Sequence, residues 1–269
     1  MLRQRLLTAL VLGVLMVWAV LALPGPWFAL LLLVPIVLGA WEWAALADLK
    51  DLLRIAYTLG VVALSLLAWP LLDSRPALGV LLAGTALFWC LVLVWLGRYS
   101  RGQAPTQDPQ RAWQLSGPVV LAVPWLALVA LREDFGPGYV LFLLMLVWVA
   151  DSGAYFVGRR FGQRRLVPAV SPGKTWEGVY GGLAAAALFA LLGAAVLGVP
   201  TAQWPLFIVV SLVSVMFSIV GDLLESLLKR LKGVKDSGSL LPGHGGMLDR
   251  VDSLTAAAPI FVLGVVGGL

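Results

Sequence analysis

Long apolar stretches follow one another along most of the chain, and most are long enough to cross a lipid bilayer. A helix needs about 20 apolar residues to span roughly 30 Å of hydrocarbon. We therefore predict an all-α, polytopic integral membrane protein with about nine transmembrane helices. Their approximate bounds are 5–23, 27–47, 52–72, 77–97, 116–132, 138–157, 177–199, 203–221 and 253–268.

Composition narrows the class of protein in the same direction. The 269 residues are 61% hydrophobic and only 12% charged, whereas a soluble domain carries roughly 25% charged residues. Cys90 is the only cysteine, which excludes a disulfide scaffold. The net charge of +5 does not indicate nucleic-acid binding, because in a membrane protein the placement of basic residues matters more than their sum. We expect membrane lipids, and no nucleic acid, as partners.

The basic residues predict the orientation. With a cytoplasmic N-terminus and nine spans, only Arg75 and Arg132 lie in outer segments, which leaves 17 of the 19 lysines and arginines inside. Cytoplasmic loops retain Lys and Arg. The first stretch follows Arg3 and Arg5 like a signal peptide, but no small-residue cleavage site follows it, so we expect a retained helix.

The organisation is that of a single membrane domain, 1–269, without an internal repeat or a separate soluble domain. Within it, 1–135 is a helical part that carries little chemical signal. The segment 136–269 is the predicted catalytic part, because it carries two polar loops on the cytoplasmic side.

Charged residues concentrate in those two loops. Seven of the 14 acidic residues lie between 151 and 252, as do four of the five lysines. A purely headgroup-binding surface needs Lys and Arg rather than carboxylates, and an unpaired carboxylate near the bilayer is energetically expensive. The cluster therefore indicates a site for a charged ligand. Its acidic members are Asp151, Glu177, Asp222, Glu225, Asp236, Asp249 and Asp252.

The first loop combines glycines with a predicted turn at 171–175 that leads into the seventh span. A helix N-terminus beside Lys174 is a favourable anion site, and Asp151 and Ser171 are further candidates for binding the substrate. A nucleotide-binding P-loop is excluded, because Pro168 stands where that motif needs glycine and no strand pattern surrounds it.

The second loop begins with a polar stripe on a continuing helix, since Asp222, Glu225, Ser226 and Lys229 recur at helical spacing. A solvated helix face is the alternative interpretation. Gly245 and Gly246 expose backbone N–H groups that can hold an oxyanion.

Asp222 and Asp249 flank this loop. As paired carboxylates with open coordination positions they would suit Mg²⁺, which combines a few carboxylates with substrate phosphates. His244 is the only histidine, and either a structural or a proton-transfer role is open to it. Carboxylates, cations and glycine-rich turns together favour phosphoryl or nucleotidyl transfer.

These residues resemble a known signature. The segments Ser226-Leu-Leu-Lys229-Arg230, Lys235-Asp236 and Pro242-Gly-His244-Gly245-Gly246-Met-Leu-Asp249-Arg250-Val-Asp252 are similar to the motif of the phosphatidate cytidylyltransferase (CDP-diacylglycerol synthase) family. Residues 151–155 and 171–178 resemble that family's earlier motif. Before 151 the resemblance is one of hydropathy only.

The resemblance implies that CTP and phosphatidate react to give CDP-diacylglycerol and pyrophosphate in phospholipid biosynthesis. It implies a multi-pass protein of the cell (inner) membrane, with the active site facing the cytoplasm, acting as a homodimer. Asp222 and Asp249 would hold Mg²⁺, with room for a second cation such as K⁺.

We assign hypothetical roles to the remaining candidates. Asp236 and Asp252 would orient the cations or complete the metal shell, and Ser226, Gly245 and Gly246 would contact the substrates. The cationic residues would neutralise the two phosphate groups so that they can meet: Lys174, Lys229, Arg230, Lys235 and Arg250.

Three other functions fit the sequence less well. A CDP-alcohol phosphotransferase should carry a D-G-x-x-A-R segment, which this chain lacks. A transporter could use Asp151, Asp222 and Glu225 as an ion path, but transporters place such charges near the bilayer midplane, often in repeated halves. A structural scaffold would leave the carboxylates unexplained.

Overall fold

Helices account for almost all of the residues that the computed structural model describes, which are 13–103, 110–238 and 245–268. Eight of these helices are long and apolar enough to cross a membrane. The helices are α1 Gly13–Ala22, α2 Gly25–Leu46, α3 Asp51–Leu67, α4 Arg75–Ser100, α5 Gln110–Phe135, α6 Pro137–Phe161, α7 Trp176–Val196, α8 Trp204–Leu231 and α9 Leu248–Gly268.

The prediction of an all-α polytopic membrane protein is confirmed. The count of nine spans stays a prediction, because the first predicted span, 5–23, is described only as the short helix α1. Short 3₁₀ turns follow α3 at Trp69–Asp73 and precede α8 at Thr201–Gln203.

Prolines explain where four of the helices begin. Pro26, Pro76, Pro137 and Pro205 each occupy the first or second position of α2, α4, α6 and α8. Proline suits these positions because its fixed backbone angle matches a helix and its missing N–H would have no partner there. All four starts lie in or beside the short loops predicted to be on the outer side.

Helices α5 and α9 lie at the centre of the bundle. Helix α9 contacts α2, α4, α5, α6 and α8, whereas α3, α4 and α7 leave most of their apolar surface exposed for lipid. Indole N–H groups join α2 to α5: Trp43 donates to the carbonyl of Trp113 at 2.8 Å, and Trp125 donates to that of Ala29 at 2.9 Å.

Small residues bring α6 and α7 unusually close. A Cβ added to Gly153 would lie 2.8 Å from the Ala185 Cβ and 3.0 Å from the Gly181 carbonyl oxygen. Close backbone approach through small residues stabilises helix pairs within membranes. The pairing fixes Asp151 on α6 relative to the chain that enters α7.

The predicted turn at 171–175 is wrong in form, and so is the expectation that no strand occurs there. Ser171–Thr175 is a strand, β2, which pairs antiparallel with β1 at Arg165–Val167. A strand of five residues containing proline and glycine has too little apolar alternation to be recognised from its sequence. β2 forms because antiparallel pairing with β1 satisfies its backbone N–H and C=O groups.

Candidate functional site

Two loops surround the C-terminal ends of α6 and α8 and the N-terminal end of α9. We call them the first motif loop, 162–175, and the second motif loop, 232–247. Between them lies a group of five carboxylates that we call the carboxylate cluster. Its members are Asp151, Asp222, Glu225, Asp249 and Asp252, and they come from α6, α8 and α9.

The first motif loop is held by its own neighbours. The Glu177 carboxylate accepts hydrogen bonds from the backbone N–H groups of Gln163 and Arg164, at 3.0 and 3.1 Å, and pairs with the Arg164 guanidinium at 3.1 Å. The Thr175 hydroxyl caps α7 by accepting from the Gly178 N–H at 3.1 Å. These contacts place Lys174, the residue before the cap, against α8.

Lys174 forms an ion pair with Asp222, and both side chains remain 27% exposed. The Ser226 hydroxyl donates to the other oxygen of Asp222 at 3.2 Å. Asp151, exposed on α6, interacts electrostatically with both members of the pair. A strand residue, a helix α8 residue and a helix α6 residue therefore meet at one end of the bundle.

Lys229 joins α8 to α9. Its ammonium lies 2.5 Å from the Asp249 Oδ1 and 3.2 Å from the Glu225 Oε2, and its side chain is only 12% exposed. Charge-assisted hydrogen bonds of this kind are stronger than neutral ones. Lys229 is thus buried between two carboxylates rather than lying in solvent.

Glu225 and Asp252 occupy the middle of the cluster. Asp252 interacts electrostatically with Asp222 on one side and with Glu225 on the other. The Glu225 Oε1 is buried and has no hydrogen-bond partner among the described residues. A buried carboxylate oxygen without a partner is costly, so either a proton shared with the neighbouring Asp252 or a further positively charged group is expected here.

The second motif loop closes on Asp249. The Asp249 Oδ2 accepts from the backbone N–H groups of Ser237 and Gly246, at 3.0 and 2.8 Å, and lies 3.0 Å from the Ser237 hydroxyl. Gly245 has a φ of +81°, a conformation that side chains disfavour. The partner of the Gly246 N–H is thus the Asp249 carboxylate. The sequence predicted an oxyanion of the substrate as its partner.

The structure brings most of the predicted site residues together. Lys174, Ser226, Lys229 and Gly246 all contact the carboxylate cluster. The polar stripe on α8 is as predicted, and Asp249 lies in the first turn of α9, with Asp252 three residues further along the helix.

The other predicted residues differ in their surroundings. Arg230 instead joins α8 to the first motif loop, donating to the Val170 carbonyl at 3.3 Å. Lys235, Asp236 and Arg250 are exposed, and Ser171 is half-buried in β2. His244 lies outside the described residues.

Glu42 and Ser237 are residues that the sequence analysis missed. Glu42 is buried in α2, 1% exposed, yet it accepts hydrogen bonds from the second motif loop and the start of α9. A signal was present, because a lone carboxylate inside an apolar span is expensive. The cost of an unpaired carboxylate led to the prediction of Asp151 and Asp222 as site residues. Glu42 was not predicted, because it lies in the part of the chain that resembled the family only in hydropathy.

The cluster holds more carboxylates than lysines. Two lysines, Lys174 and Lys229, pair with three of its five carboxylates. Within the described ranges no three carboxylate, imidazole or thiol groups are grouped as a preformed metal site. Magnesium, however, takes one or two carboxylates and completes its shell with water and substrate phosphates. Two aspartates and the unpartnered Glu225 oxygen are donors of the type that Mg²⁺ prefers.

Comparison with known proteins agrees with this chemistry. The family model described as the cytidylyltransferase family matches residues 3–266. A protein of Pseudomonas aeruginosa named phosphatidate cytidylyltransferase is 42% identical, over 97% of this chain and 96% of its own length. Proteins of the same name from Haemophilus influenzae and Brucella suis are 39% and 37% identical, over 97% of this chain and 97% and 92% of their own lengths. The match extends over the N-terminal helices as well as the two motif loops, so the chain belongs to the cytidylyltransferase family of nucleotidyltransferase enzymes.

Proposed function

We propose that this membrane enzyme transfers CMP from CTP to phosphatidate, giving CDP-diacylglycerol and pyrophosphate. The proposal rests on one observation. The carboxylate cluster and two half-buried lysines, Lys174 and Lys229, lie together at one end of a membrane bundle. Relatives named for this activity match nearly the whole chain. A water-soluble nucleotide and a membrane lipid can both reach such a position.

The reaction needs no protein nucleophile. An oxygen of the ionised lipid phosphate attacks the α-phosphorus of CTP in line. The bond between that phosphorus and the oxygen bridging the α- and β-phosphates breaks, and pyrophosphate leaves with that oxygen. Phosphoryl transfer of this kind depends mainly on positioning and on neutralising charge. Lys174 and Lys229 would leave their carboxylate partners in part to contact the phosphates, and exposed Arg230, Lys235 and Arg250 would attract the two anions.

Asp222 and Asp249 are the residues that we propose hold Mg²⁺, with Glu225 adding negative charge behind them. When bound, the ion would neutralise the triphosphate and stabilise the leaving pyrophosphate. The Asp249 Oδ2 already accepts hydrogen bonds from the Ser237 and Gly246 N–H groups, so its Oδ1, which Lys229 contacts, would be the oxygen available to an ion. Asp236 and Asp252 would orient the cations. A second cation such as K⁺, a proton-transfer role for His244 and a homodimer stay predictions.

We place the cluster on the cytoplasmic side of the inner membrane. The support is the distribution of basic residues, of which only Arg75 and Arg132 lie in outer segments. The variant Lys235→Cys, in a Cys90→Ser background, tests this orientation. An impermeant thiol reagent should label the introduced cysteine only after spheroplasts are broken.

The proposed activity is tested with purified protein, CTP, phosphatidate and Mg²⁺, following CDP-diacylglycerol and pyrophosphate. EDTA should stop both products. Asp222→Ala and Asp249→Ala should each abolish turnover while the protein remains folded in detergent. Asp134→Ala is a matched control, because Asp134 pairs with Arg75 at 2.6 Å in the predicted outer loops. Substantial activity in either cluster variant would remove the metal assignment.

A further inference from the structure

Glu42 is a buried carboxylate far from the motif loops in sequence. It lies one turn before the end of α2 and is 1% exposed. Burying a carboxylate costs several kcal/mol unless hydrogen bonds compensate it. Its contacts therefore show which part of the protein it stabilises.

Among the residues that the structure describes, the donors to Glu42 come from the second motif loop and the first residue of α9. The Met247 N–H donates to Oε1 at 2.9 Å, the Leu248 N–H donates to Oε2 at 2.8 Å, and the Ser237 hydroxyl lies 2.9 Å from Oε2. The first N–H groups of a helix have no partner within the helix, and a negative charge is favourable there. Glu42 thus caps α9 from a helix about 200 residues earlier in the chain.

Ser237 connects this cap to Asp249. Its hydroxyl lies 2.9 Å from the Glu42 Oε2 and 3.0 Å from the Asp249 Oδ2. A hydroxyl has one proton to donate, so it serves one carboxylate at a time. The two ends of the loop are consequently held between a carboxylate of α2 and a carboxylate of α9.

Glycines allow the loop to lie directly against the Glu42 carboxylate. A Cβ on Gly238 would lie 2.5 Å from the Glu42 Oε1, and a Cβ on Gly246 would lie 2.5 Å from the Oε2. One turn earlier on α2, a Cβ on Gly39 would lie 3.2 Å from the Leu248 Cδ2. This face of α2 is shaped to receive the loop and the start of α9.

We propose that Glu42 is a positioning residue for the nucleotidyl transfer, acting through the loop to fix the position of Asp249. The inference rests on the proposed function for its kinetic consequence only. Glu42 is not in contact with the substrates in this account; it fixes the backbone that carries Asp249. The N-terminal helices thereby contribute directly to the geometry of the carboxylate cluster.

The test compares Glu42→Gln with wild type. The amide keeps the size of the side chain but removes its charge and turns an NH₂ group toward backbone donors. We expect kcat to fall roughly 10- to 100-fold, as for a lost charge-assisted hydrogen bond, while KM for CTP changes less than about threefold, since no substrate contact is lost. Hydrogen exchange should accelerate in peptides covering 236–250 and stay unchanged in those covering 163–178.

Two further variants sharpen the result. Glu42→Asp keeps the charge and should recover part of kcat and of the exchange protection. Glu133→Gln is the matched control, because Glu133 is exposed near the end of α5 in the predicted outer loops, and it should behave as wild type. Wild-type kcat in Glu42→Gln, with or without faster exchange, would overturn the positioning role.

Ser237→Ala decides the question if Glu42→Gln does not fold. It removes only the hydroxyl between the two carboxylates, and we expect faster exchange in 236–250 with a smaller fall in kcat. Unchanged exchange and unchanged kcat would contradict the proposal. If wild type makes no CDP-diacylglycerol, the proposed function fails, whereas the exchange experiment still tests whether Glu42 holds the loop.

Discussion

The two motif loops border the same carboxylate cluster but are held in different ways. The first forms a hairpin fixed by its last residue, Thr175, and by Glu177, which lies two residues after it. The second is held by Asp249 and by Glu42, and Asp48 after α2 pairs with Lys232 at its start. The first loop therefore needs only the C-terminal part of the chain, whereas the second depends on α2 and the residues after it.

The largest expected difference concerns the lysines beside each loop. Lys229→Met leaves Glu225 and Asp249 buried without their cation, so we expect a loss of about 3–5 kcal/mol of stability, as when a buried ion pair loses one partner. Lys174→Met removes the ion-pair partner of Asp222, which is partly exposed, so the loss of stability should be much smaller. Thermal unfolding in detergent measures both, and equal destabilisation would contradict the contrast.

The next largest difference in stability is expected when a methyl group is added to each loop. Gly246→Ala places a Cβ against the Ser237 Oγ of the same loop and 2.5 Å from the Glu42 Oε2, whereas a Cβ on Gly173 meets nothing within 4 Å. We expect Gly246→Ala to destabilise the protein by about 1–3 kcal/mol, as overpacking does. Gly173→Ala should leave the unfolding temperature nearly unchanged. A tolerant Gly246 would mean that Ser237 and Glu42 are not held tightly at this point.

Removing the charge of Glu177 should affect the first loop alone. Glu177→Gln weakens the acceptor for the N–H groups of Gln163 and Arg164, so hydrogen exchange should rise modestly there. Peptides from 236–250 should keep their protection, the reverse of the pattern expected for Glu42→Gln. Faster exchange in both loops would show that they are coupled.

The smallest effect is expected at Asp48. The Lys232 ammonium hydrogen-bonds this carboxylate and lowers its pKa below the usual value for Asp. A lowered pKa stabilises the folded state at neutral pH, and that contribution is lost as the pH falls through the folded-state pKa. Asp48→Asn should therefore lower stability at pH 7 by less than about 1 kcal/mol, because Asp48 is 40% exposed.

The pH dependence provides the check on that prediction. The difference in unfolding temperature between wild type and Asp48→Asn should disappear at acidic pH, where Asp48 is protonated. High salt should also shrink it. A difference that stays constant with pH would rule out the ion pair as its cause.

Sequence reasoning succeeded where the signal was local. Apolar length predicted α2–α9 to within several residues at most of their ends, and helical spacing predicted the stripe from Asp222 to Lys229. The signature at 226–252 supplied the family, which the comparisons confirm.

Long-range pairing was harder to predict. Nothing in the spacing of Glu42 indicates that its partners are Ser237, Met247 and Leu248, because that choice follows from how α2 packs on α9. The hairpin was missed for a similar reason, since β2 is stabilised by pairing with β1 rather than by its own composition.

The most direct test of the proposed reaction follows the fate of each phosphate of CTP. With CTP labelled at the α-phosphorus, the purified protein should move the label into the lipid fraction only when phosphatidate is present. With label at the γ-phosphorus, all of it should appear in pyrophosphate. Label from the γ position in lipid, or no phosphatidate-dependent transfer from the α position, would contradict attack of the lipid phosphate on the α-phosphorus.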